Sequence, residues 1–232
     1  MWHREQHKKI QHLLDLLNTS FLKENNILFG GGTRISLEID EYRVSTDADF
    51  ICIGNAYRVI RNELHCTDFG RLFTRVPEFA RETRADRYAV RMAPIIDGTP
   101  LKLEFIAFDR PQLSQSIDQS LGIASLAHKD CFTLKLMALA DRTTLPLKDY
   151  WDILAMRERW GKIPESSFRT AREEYGEKCI TNALNRAHQL MNSSEQQNMI
   201  TQLQIEPCYA KKLIAEIEPK LQHEISHQEF DL

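Results

Sequence analysis

The 232-residue sequence lacks the features that mark several broad protein classes. It has no apolar run of about 20 residues, the length that a membrane-spanning helix needs. Its first residues, MWHREQHKK, lack the apolar stretch of a signal peptide. The five cysteines are odd in number and never form C-x-x-C, so they predict neither a disulfide framework nor a zinc knuckle. Scattered free cysteines are typical of a reducing compartment, and we therefore expect a cytoplasmic protein with no membrane partner.

An excess of positive charge is also absent. Lysine and arginine total 30 against 33 acidic residues, which gives a net charge of −3, so an overall basic footprint for nucleic acid is missing. Residues 55–92 are a local exception, with eight arginines and five acidic residues. Arginine forks suit phosphate groups, so this stretch is a mild basic patch that can contact phosphate. A solvated helical face explains the same charges equally well.

Hydrophobic periodicity divides the chain into a mixed half and a helical half. Apolar residues three and four apart predict an amphipathic helix over residues 3–23, with His3, His7 and Lys8 on its solvated face. A strand at 27–29 and a strand at 47–53 follow. Between them, the apolar spacing of residues 33–40 is ambiguous between the two periods and is compatible with a short helix. Two strands, 87–96 and 101–108, meet at the hairpin signal Asp97-Gly98. From residue 125 onward the pattern is helical, and these predicted helices span residues 128–142, 148–160, 165–176, 178–192, 195–205 and about 207–227. The expected fold class is therefore α+β, a mixed sheet with flanking helices followed by a helical C-terminal domain.

Two aspartates in the strand over residues 47–53 are the first candidate for chemistry. Side chains alternate along a strand, so Asp47 and Asp49 share one face. Two neighbouring carboxylates repel each other, and a divalent cation removes that cost. Oxygen ligands of this kind suit Mg²⁺, or Mn²⁺, which takes its remaining ligands from water and substrate phosphates. A chance D-x-D pair on a solvent-facing edge is the alternative.

A glycine-rich turn upstream strengthens the phosphate interpretation. Gly30-Gly31-Gly32 follows a strand and precedes a helix, where glycines allow close backbone approach and the helix start offers free N–H groups. The turn is neither a Walker A loop nor G-x-G-x-x-G. Thr33 and Ser45 add hydroxyl groups that can reach a phosphate or a metal.

Glu104 is a candidate third acid. It lies among apolar residues in the strand over 101–108, where an unpaired carboxylate is costly unless it is paired or binds a metal. Together with Asp47 and Asp49 it can hold two Mg²⁺ ions that bridge a triphosphate and an attacking hydroxyl. A simple pair with the neighbouring Lys102 is the alternative.

These segments resemble a known family. Gly31-Gly32-Thr33-Arg34-Ile35-Ser36-Leu37 and Arg43-Val44-Ser45-Thr46-Asp47-Ala48-Asp49-Phe50 resemble the AbiEii/AbiGii (MenT-like) nucleotidyltransferase toxins of the DNA polymerase β-like superfamily. A later part of the chain is similar to that family's segment K-x-x-A-L-x-x-R … [RK]-D-x-x-D-[IL]. It consists of Lys135-Leu136-Met137-Ala138-Leu139-Ala140-Asp141-Arg142 and Lys148-Asp149-Tyr150-Trp151-Asp152-Ile153. The resemblance covers about residues 25–160. Arg34 departs from it, where a small residue is more usual, and so does Lys148, where arginine is frequent.

The resemblance implies a nucleotidyltransferase αβ domain over residues 1–124 and a helical domain over 125–232 that closes the active-site cleft. It implies metal ligation by the D-x-D acids and a requirement for Lys135 and Asp149. Lys135 and Arg142, seven residues apart on one helix face, can meet a triphosphate. Asp149 can act as a base or position the acceptor hydroxyl. The alternative for Lys135 and Arg142 is a pair of surface cations beside neighbouring acids. The alternative for Asp149 is that it is a first-turn acid which only stabilises the helix dipole.

The implied function is Mg²⁺-dependent transfer of a nucleotidyl group from an NTP to an acceptor hydroxyl. The resemblance suggests an RNA acceptor, such as the 3′ end of tRNA, and a toxin of a toxin–antitoxin or phage-defence (abortive infection) system with a cognate antitoxin. Transfer to a protein side chain and a non-catalytic nucleotide-binding regulator are the alternatives.

A zinc-protease motif near the C-terminus is a weaker candidate. His223-Glu224-Ile225-Ser226-His227 matches H-E-x-x-H, which can place two histidines on one zinc ion. It has no downstream third ligand and lies in a polar terminal segment, so we interpret it as a chance match.

Overall fold

The structure is a computed structural model that describes residues 2–109, 113, 115–116, 121–142, 147–191 and 193–228. The chain divides into a first unit, Met1–Ala127, and a second unit, His128–Leu232. The expected α+β class is confirmed: the first unit is mixed and the described part of the second is helical.

The described part of the first unit combines a mixed sheet with short helices. Its helices are α1 (Glu5–Leu16), α2 (Thr19–Glu24), α3 (Gly31–Glu38) and α4 (Ala56–Cys66). Its strands are β1 (Ile27–Gly30), β2 (Asp47–Ile53), β3 (Arg84–Ala85), β4 (Ala89–Met92), β5 (Ile95–Ile96), β6 (Thr99–Pro100), β7 (Lys102–Phe108), β8 (Gln115–Ser116) and β9 (Ser125–Leu126). Seven of them form one sheet in the order β3-β4-β7-β2-β1-β9-β8, and β5 and β6 form a separate hairpin.

The two longest strands, β2 and β7, lie side by side near the middle of the sheet. They are parallel, whereas β1 pairs with β2 and β4 pairs with β7 in the antiparallel sense. Each of the two strands alternates between a buried and a partly exposed face at its start. On the buried face Phe50 stacks between Phe29 and Phe105, with ring centroids 5.3 and 5.2 Å apart. This aromatic row anchors the strands from inside and leaves their polar residues on the other face.

The first predicted helix is interrupted, which corrects the sequence analysis. α1 ends at Leu16 and α2 begins at Thr19, where the Asn18 side chain accepts a hydrogen bond from the Phe21 N–H. The Asn18 N–H donates to the Leu72 carbonyl at 2.9 Å. A good N-cap residue and a long-range backbone bond therefore replace the continuous helix that apolar spacing predicts.

Two further expectations can be compared with the structure. The Asp97-Gly98 turn is present, and both residues have positive φ, 48° and 71°, as the two central residues of such a turn require. It joins the short strands β5 and β6, however, because the single strand predicted over residues 87–96 is divided into β4 and β5. The start of the helical half was placed too early, because Ser125–Leu126 form β9 and Phe29 pairs in parallel with Ser125. A two-residue strand has too little sequence for its alternation to be recognised.

The second unit is helical throughout its described residues. Its helices are α5 (His128–Asp141), α6 (Leu147–Trp160), α7 (Glu165–Tyr175), α8 (Glu177–Met191), α9 (Ser194–Leu203), α10 (Pro207–Lys212) and α11 (Glu218–Gln228). A π-helical turn, Leu213–Ile217, joins the last two and interrupts the single predicted terminal helix. Within the ranges that the structure describes, no helix is both long and apolar enough to cross a membrane.

Candidate active site

The acidic residues of β2 and β7 form one polar face, on the side of the sheet opposite the aromatic row. The parallel register pairs Asp49 with Glu104 and Asp47 with Lys102. Glu104 lies in the middle of β7 with only 13% of its side chain exposed, whereas Asp47 at the start of β2 is 37% exposed. The structure therefore brings the three acids of the sequence analysis to adjacent positions of two neighbouring strands.

Two cations accompany these acids. Arg91 Nε lies 3.0 Å from Glu104 Oε1, and Lys102 Nζ lies 2.8 Å from Glu104 Oε2 and 3.9 Å from Asp47 Oδ2. Burial lowers the pKa of Lys102, but the carboxylates of Glu104, Asp47 and Asp49 outweigh it and leave that pKa above its ordinary value. The simple pair of Glu104 with Lys102, which was the alternative for this acid, is thus present together with the acidic face.

The glycine-rich turn passes directly over Asp49. Gly31 has a φ of +70°, and a Cβ atom built on it would lie 2.4 Å from Asp49 Oδ2. Glycine is required here for two reasons, because the backbone is left-handed and because the carboxylate occupies the space of a side chain. α3 begins at this residue, so its first N–H groups lie close to the acidic face.

Hydroxyl groups connect the turn to the start of β2. The buried Thr33 hydroxyl lies 2.7 Å from the Ser45 hydroxyl and also hydrogen-bonds the main-chain carbonyl of Asp47. Both hydroxyls were expected to face a phosphate or a metal. In the structure they tie the glycine turn to the segment that carries Asp47.

The donor set fits a Mg²⁺ site that takes two protein carboxylates. Mg²⁺ is commonly held by one or two carboxylates and completes its shell with water and phosphate oxygens, which Asp47 and Asp49 allow. In the described ranges no group of three or more His, Cys, Asp or Glu side chains is arranged to hold a metal ion. Glu104 forms ion pairs with Arg91 and Lys102, so it can bind a metal as a third ligand only if these ion pairs rearrange. Metal binding by all three acids therefore stays a prediction.

A buried charged cluster in the second unit contains the other predicted residues. Lys135 Nζ on α5 lies 2.8 Å from Asp149 Oδ1 and 2.5 Å from Asp152 Oδ2, both on α6. Arg142 pairs with the second oxygen of Asp149. Asp149 and Asp152 are almost fully buried, whereas Arg142 is half exposed. The two cations therefore pair with buried acids. The alternatives of the sequence analysis, paired surface cations and first-turn acids that only stabilise the helix dipole, do not account for this burial.

Three residues of these networks were missed or misassigned. Asp152 shares Lys135 with Asp149, and its position three residues further along α6 was the available signal. Arg91 was counted only as part of the basic stretch. His7 was assigned to a solvated helix face, and this was wrong, because its side chain is fully buried. His7 lies three residues before Ile10 and seven before Leu14, so the helical period itself places it on the apolar face.

Comparison with known proteins identifies the family. The sequence profile described as nucleotidyl transferase AbiEii toxin, type IV TA system, matches residues 13–223. The chain belongs to the AbiEii nucleotidyltransferase toxin family. This AbiEii chain is accordingly a nucleotidyltransferase, as its sequence predicts.

Solved structures share the fold of the AbiEii chain. JHP933 from Helicobacter pylori aligns with a TM-score of 0.55 and 13% identity, covering 100% of this chain and 97% of its own. Another H. pylori protein, described as a candidate nucleotidyltransferase, aligns with a TM-score of 0.55 and 12% identity, covering 97% of this chain and 99% of its own. At these identities the likeness shows the fold alone. A search of curated protein sequences gives no significant match.

The H-E-x-x-H segment of the AbiEii chain is engaged elsewhere. Glu224 pairs with Arg157 of α6 in the second unit. A glutamate in an ion pair does not serve as the free base that a zinc-protease site needs. This contact supports the interpretation of the motif as a chance match.

Proposed function

We propose that this AbiEii-family chain transfers a nucleotidyl group from an NTP to an acceptor hydroxyl. The acceptor oxygen forms a bond to the α-phosphorus, and the bond from that phosphorus to the bridging oxygen of the β-phosphate breaks. Pyrophosphate leaves with the electron pair, and the proton of the acceptor hydroxyl is released to a base or to water. The observation that carries the proposal is the acidic face of Asp47, Asp49 and Glu104 beneath the glycine turn.

The first unit supplies the groups for the nucleotide in this proposal. Asp47 and Asp49, with Glu104 beside them, would hold Mg²⁺ or Mn²⁺, whose chemistry is to neutralise phosphate charge and orient reacting oxygens. Gly31, Gly32 and the start of α3 offer backbone N–H groups to phosphate oxygens. Thr33 and Ser45 keep this backbone in register with Asp47.

The second unit holds two cations for which the family resemblance implies contact with the triphosphate, Lys135 and Arg142. Within that unit both cations lie on one carboxylate, Asp149. Asp149 pairs with both cations, and these contacts support a role in orienting them. The family resemblance implies a further role for Asp149, which is contact with the acceptor hydroxyl. Asp152 is the second carboxylate that pairs with Lys135.

The proposed acceptor is RNA, such as the 3′ end of tRNA. Five arginines of the basic stretch are exposed: Arg58, Arg61, Arg75, Arg81 and Arg84. On the same stretch Tyr88 is 57% exposed, and the Arg87 guanidinium lies 4.5 Å from its ring centroid. Exposed arginines with an exposed aromatic ring are groups that single-stranded RNA can use for phosphate contacts and base stacking.

The proposed biological context follows from the family. A type IV toxin implies a cognate antitoxin as partner, and toxicity would then come from modifying an RNA that the cell needs, within the cytoplasm. Abortive infection of phage-infected cells is the proposed outcome where the system serves defence.

One labelling experiment separates the candidate functions. The purified protein is incubated with each NTP carrying an α-phosphate label, Mg²⁺, and either total RNA or total protein. Label in RNA supports the proposal, label in protein indicates transfer to a side chain, and label in neither indicates a nucleotide-binding regulator.

A further inference from the structure

His7 connects the first helix to the segment that enters the candidate active site. Its imidazole is fully buried, with Nδ1 2.8 Å from Glu41 Oε1 and Nε2 accepting the Ser45 N–H at 3.1 Å. Because Nε2 accepts, the proton is on Nδ1 and donates to the carboxylate, so both ring nitrogens are used by the neutral ring.

Glu41 fixes the other side of this histidine. Its carboxylate accepts the His3 N–H at 2.6 Å and the Arg4 N–H at 3.0 Å, at the start of α1. The Arg4 side chain donates back to the Glu41 carbonyl at 3.1 Å. The imidazole is therefore held by a buried carboxylate that also binds the two N–H groups just before α1, and it has little freedom to move.

Ser45 connects His7 to the residues proposed to bind the nucleotide. It lies two residues before Asp47, and its hydroxyl meets Thr33, whose own hydroxyl bonds the Asp47 carbonyl. Without His7, the Ser45 N–H is a buried donor with no acceptor from α1. Its relaxation would shift the junction between the glycine turn and β2.

Charges around His7 favour the neutral ring. The charged groups that act on it are Glu41, Arg4 and Arg43. Burial lowers the pKa of His7 and outweighs the opposing influence of Glu41, while the two arginines add to the lowering. A protonated ring would also direct an Nε2–H at the Ser45 N–H, which is a contact between two donors.

The residue lies outside the part of the chain that the family profile matches. The match begins at residue 13, so α1 contributes His7 from before it. We propose that His7 is a positioning residue for nucleotide binding, which holds the Ser45 amide and thereby fixes the Gly31–Thr33 turn against Asp47. This inference rests on the proposed nucleotidyltransferase function of the site.

A pair of isosteric variants tests the proposal. In His7→Gln the amide can place an acceptor near the position of Nε2, whereas in His7→Asn it can place a donor only near Nδ1. His12→Asn is the matched control, because His12 is exposed on the same helix and meets Asp97 instead. Three readouts are made on each full-length protein: hydrogen exchange of the Ser45 amide, the Kd of a non-hydrolysable NTP with Mg²⁺, and KM and kcat for labelling.

The proposal predicts a specific pattern across these readouts. In His7→Asn the Ser45 amide loses protection, and Kd and KM rise about tenfold with kcat within about twofold of wild type. His7→Gln recovers most of the affinity, and His12→Asn behaves like wild type. Thermal unfolding checks that each variant is folded. If His7→Asn misfolds, His7→Gln still tests the proposal, because Ser45 protection and nucleotide affinity must change together in it, and a weakened Kd with full Ser45 protection overturns the proposal.

Other results overturn the inference and locate the failure. If the Ser45 amide loses protection while Kd is unchanged, His7 is structural only. If that amide stays protected in His7→Asn, the hydrogen bond does not hold Ser45. If the wild-type protein binds no NTP, the proposed function itself fails, and the positioning role falls with it although Ser45 exchange still responds to His7.

Discussion

Asp49 and Glu104 are direct partners in the parallel ladder between β2 and β7. This register follows from the aromatic row on the opposite face, because moving either strand by one residue would place a carboxylate in the core and a phenylalanine in solvent. The acidic face is thus fixed by the packing of Phe50 and Phe105. The chemistry of the site and the stability of the sheet depend on the same alternation.

The close approach of Gly31 to Asp49 predicts a large effect of one methyl group. Gly31→Ala combines strain at φ +70° with a Cβ 2.4 Å from Asp49 Oδ2. We expect a loss of about 2–4 kcal/mol in the free energy of unfolding and the loss of nucleotide binding, measured by denaturant titration and calorimetry.

A substitution at a second glycine measures the effect of backbone strain without a close contact. Gly98 has a φ of +71°, and nothing lies within 4 Å of a Cβ built there. Gly98→Ala should cost only about 1 kcal/mol and leave nucleotide binding intact. Equal effects of the two substitutions would mean that Asp49 does not need the space at Gly31.

The buried cluster of the second unit predicts an asymmetry between its members. Lys135→Ala leaves the carboxylates of Asp149 and Asp152 without their shared ammonium group, so we expect a loss of about 3–5 kcal/mol of unfolding free energy. Asp149→Asn retains the Asp152 contact and should cost less. Chemical denaturation of both variants measures the difference.

An exposed ion pair provides the control for this cluster. Lys212 Nζ lies 2.6 Å from Glu158 Oε1 with the lysine half exposed. Lys212→Ala should leave stability close to that of wild type, because water screens an exposed pair. A Lys135→Ala variant as stable as Lys212→Ala would contradict the structural role of the buried cluster.

The buried His7 predicts how stability depends on pH. Its pKa in the folded chain is lowered from the ordinary 6.5, so below pH 6.5 the unfolded chain binds a proton that the folded chain does not. Stability should therefore fall as pH decreases from 6.5 to the folded pKa, by up to about 1.4 kcal/mol per pH unit. Urea unfolding between pH 7.5 and 5.5 gives this slope, and His7→Gln should flatten it. An unchanged slope in that variant would assign the dependence to other groups.

The basic stretch predicts a salt-sensitive acceptor contact. The triple variant Arg81→Glu, Arg84→Glu and Arg87→Glu should bind RNA at least about tenfold more weakly at low salt. The salt dependence of its remaining binding should also be smaller. Filter binding and labelling at several salt concentrations measure both effects. Labelling of RNA at the wild-type rate would remove the basic stretch from the acceptor site, and the Kd for NTP should stay unchanged in either case.

Local patterns predicted much of the sheet and its acids. The sequence from Ile27 to Ile53 contains an apolar run, a glycine turn and a D-x-D strand, and each has a local signal, whereas the spacing of residues 33–40 is only compatible with the short helix that follows the turn. The Asp97-Gly98 turn likewise requires only its own residues. These elements are decided by backbone preference and alternation within a few positions.

Non-local contacts account for what the sequence did not predict. The break at Asn18 depends on the carbonyl of Leu72, and β9 exists only through pairing with its neighbours in the sheet. The role of His7 depends on Glu41 and Ser45, which lie far along the chain. A single sequence shows the residue types at such positions but not which of them meet.

The most direct test of the account is nucleotidyl transfer by Asp49→Asn. This variant removes one charge from the acidic face and keeps the shape of the side chain, and Asp97→Asn, at the exposed hairpin turn, is its matched control. With labelled NTP, Mg²⁺ and total RNA, we predict that Asp49→Asn loses at least about a hundredfold in labelling rate while its unfolding transition stays near that of wild type, and that Asp97→Asn labels normally. Labelling by Asp49→Asn at the wild-type rate would contradict the assignment of the acidic face as the active site.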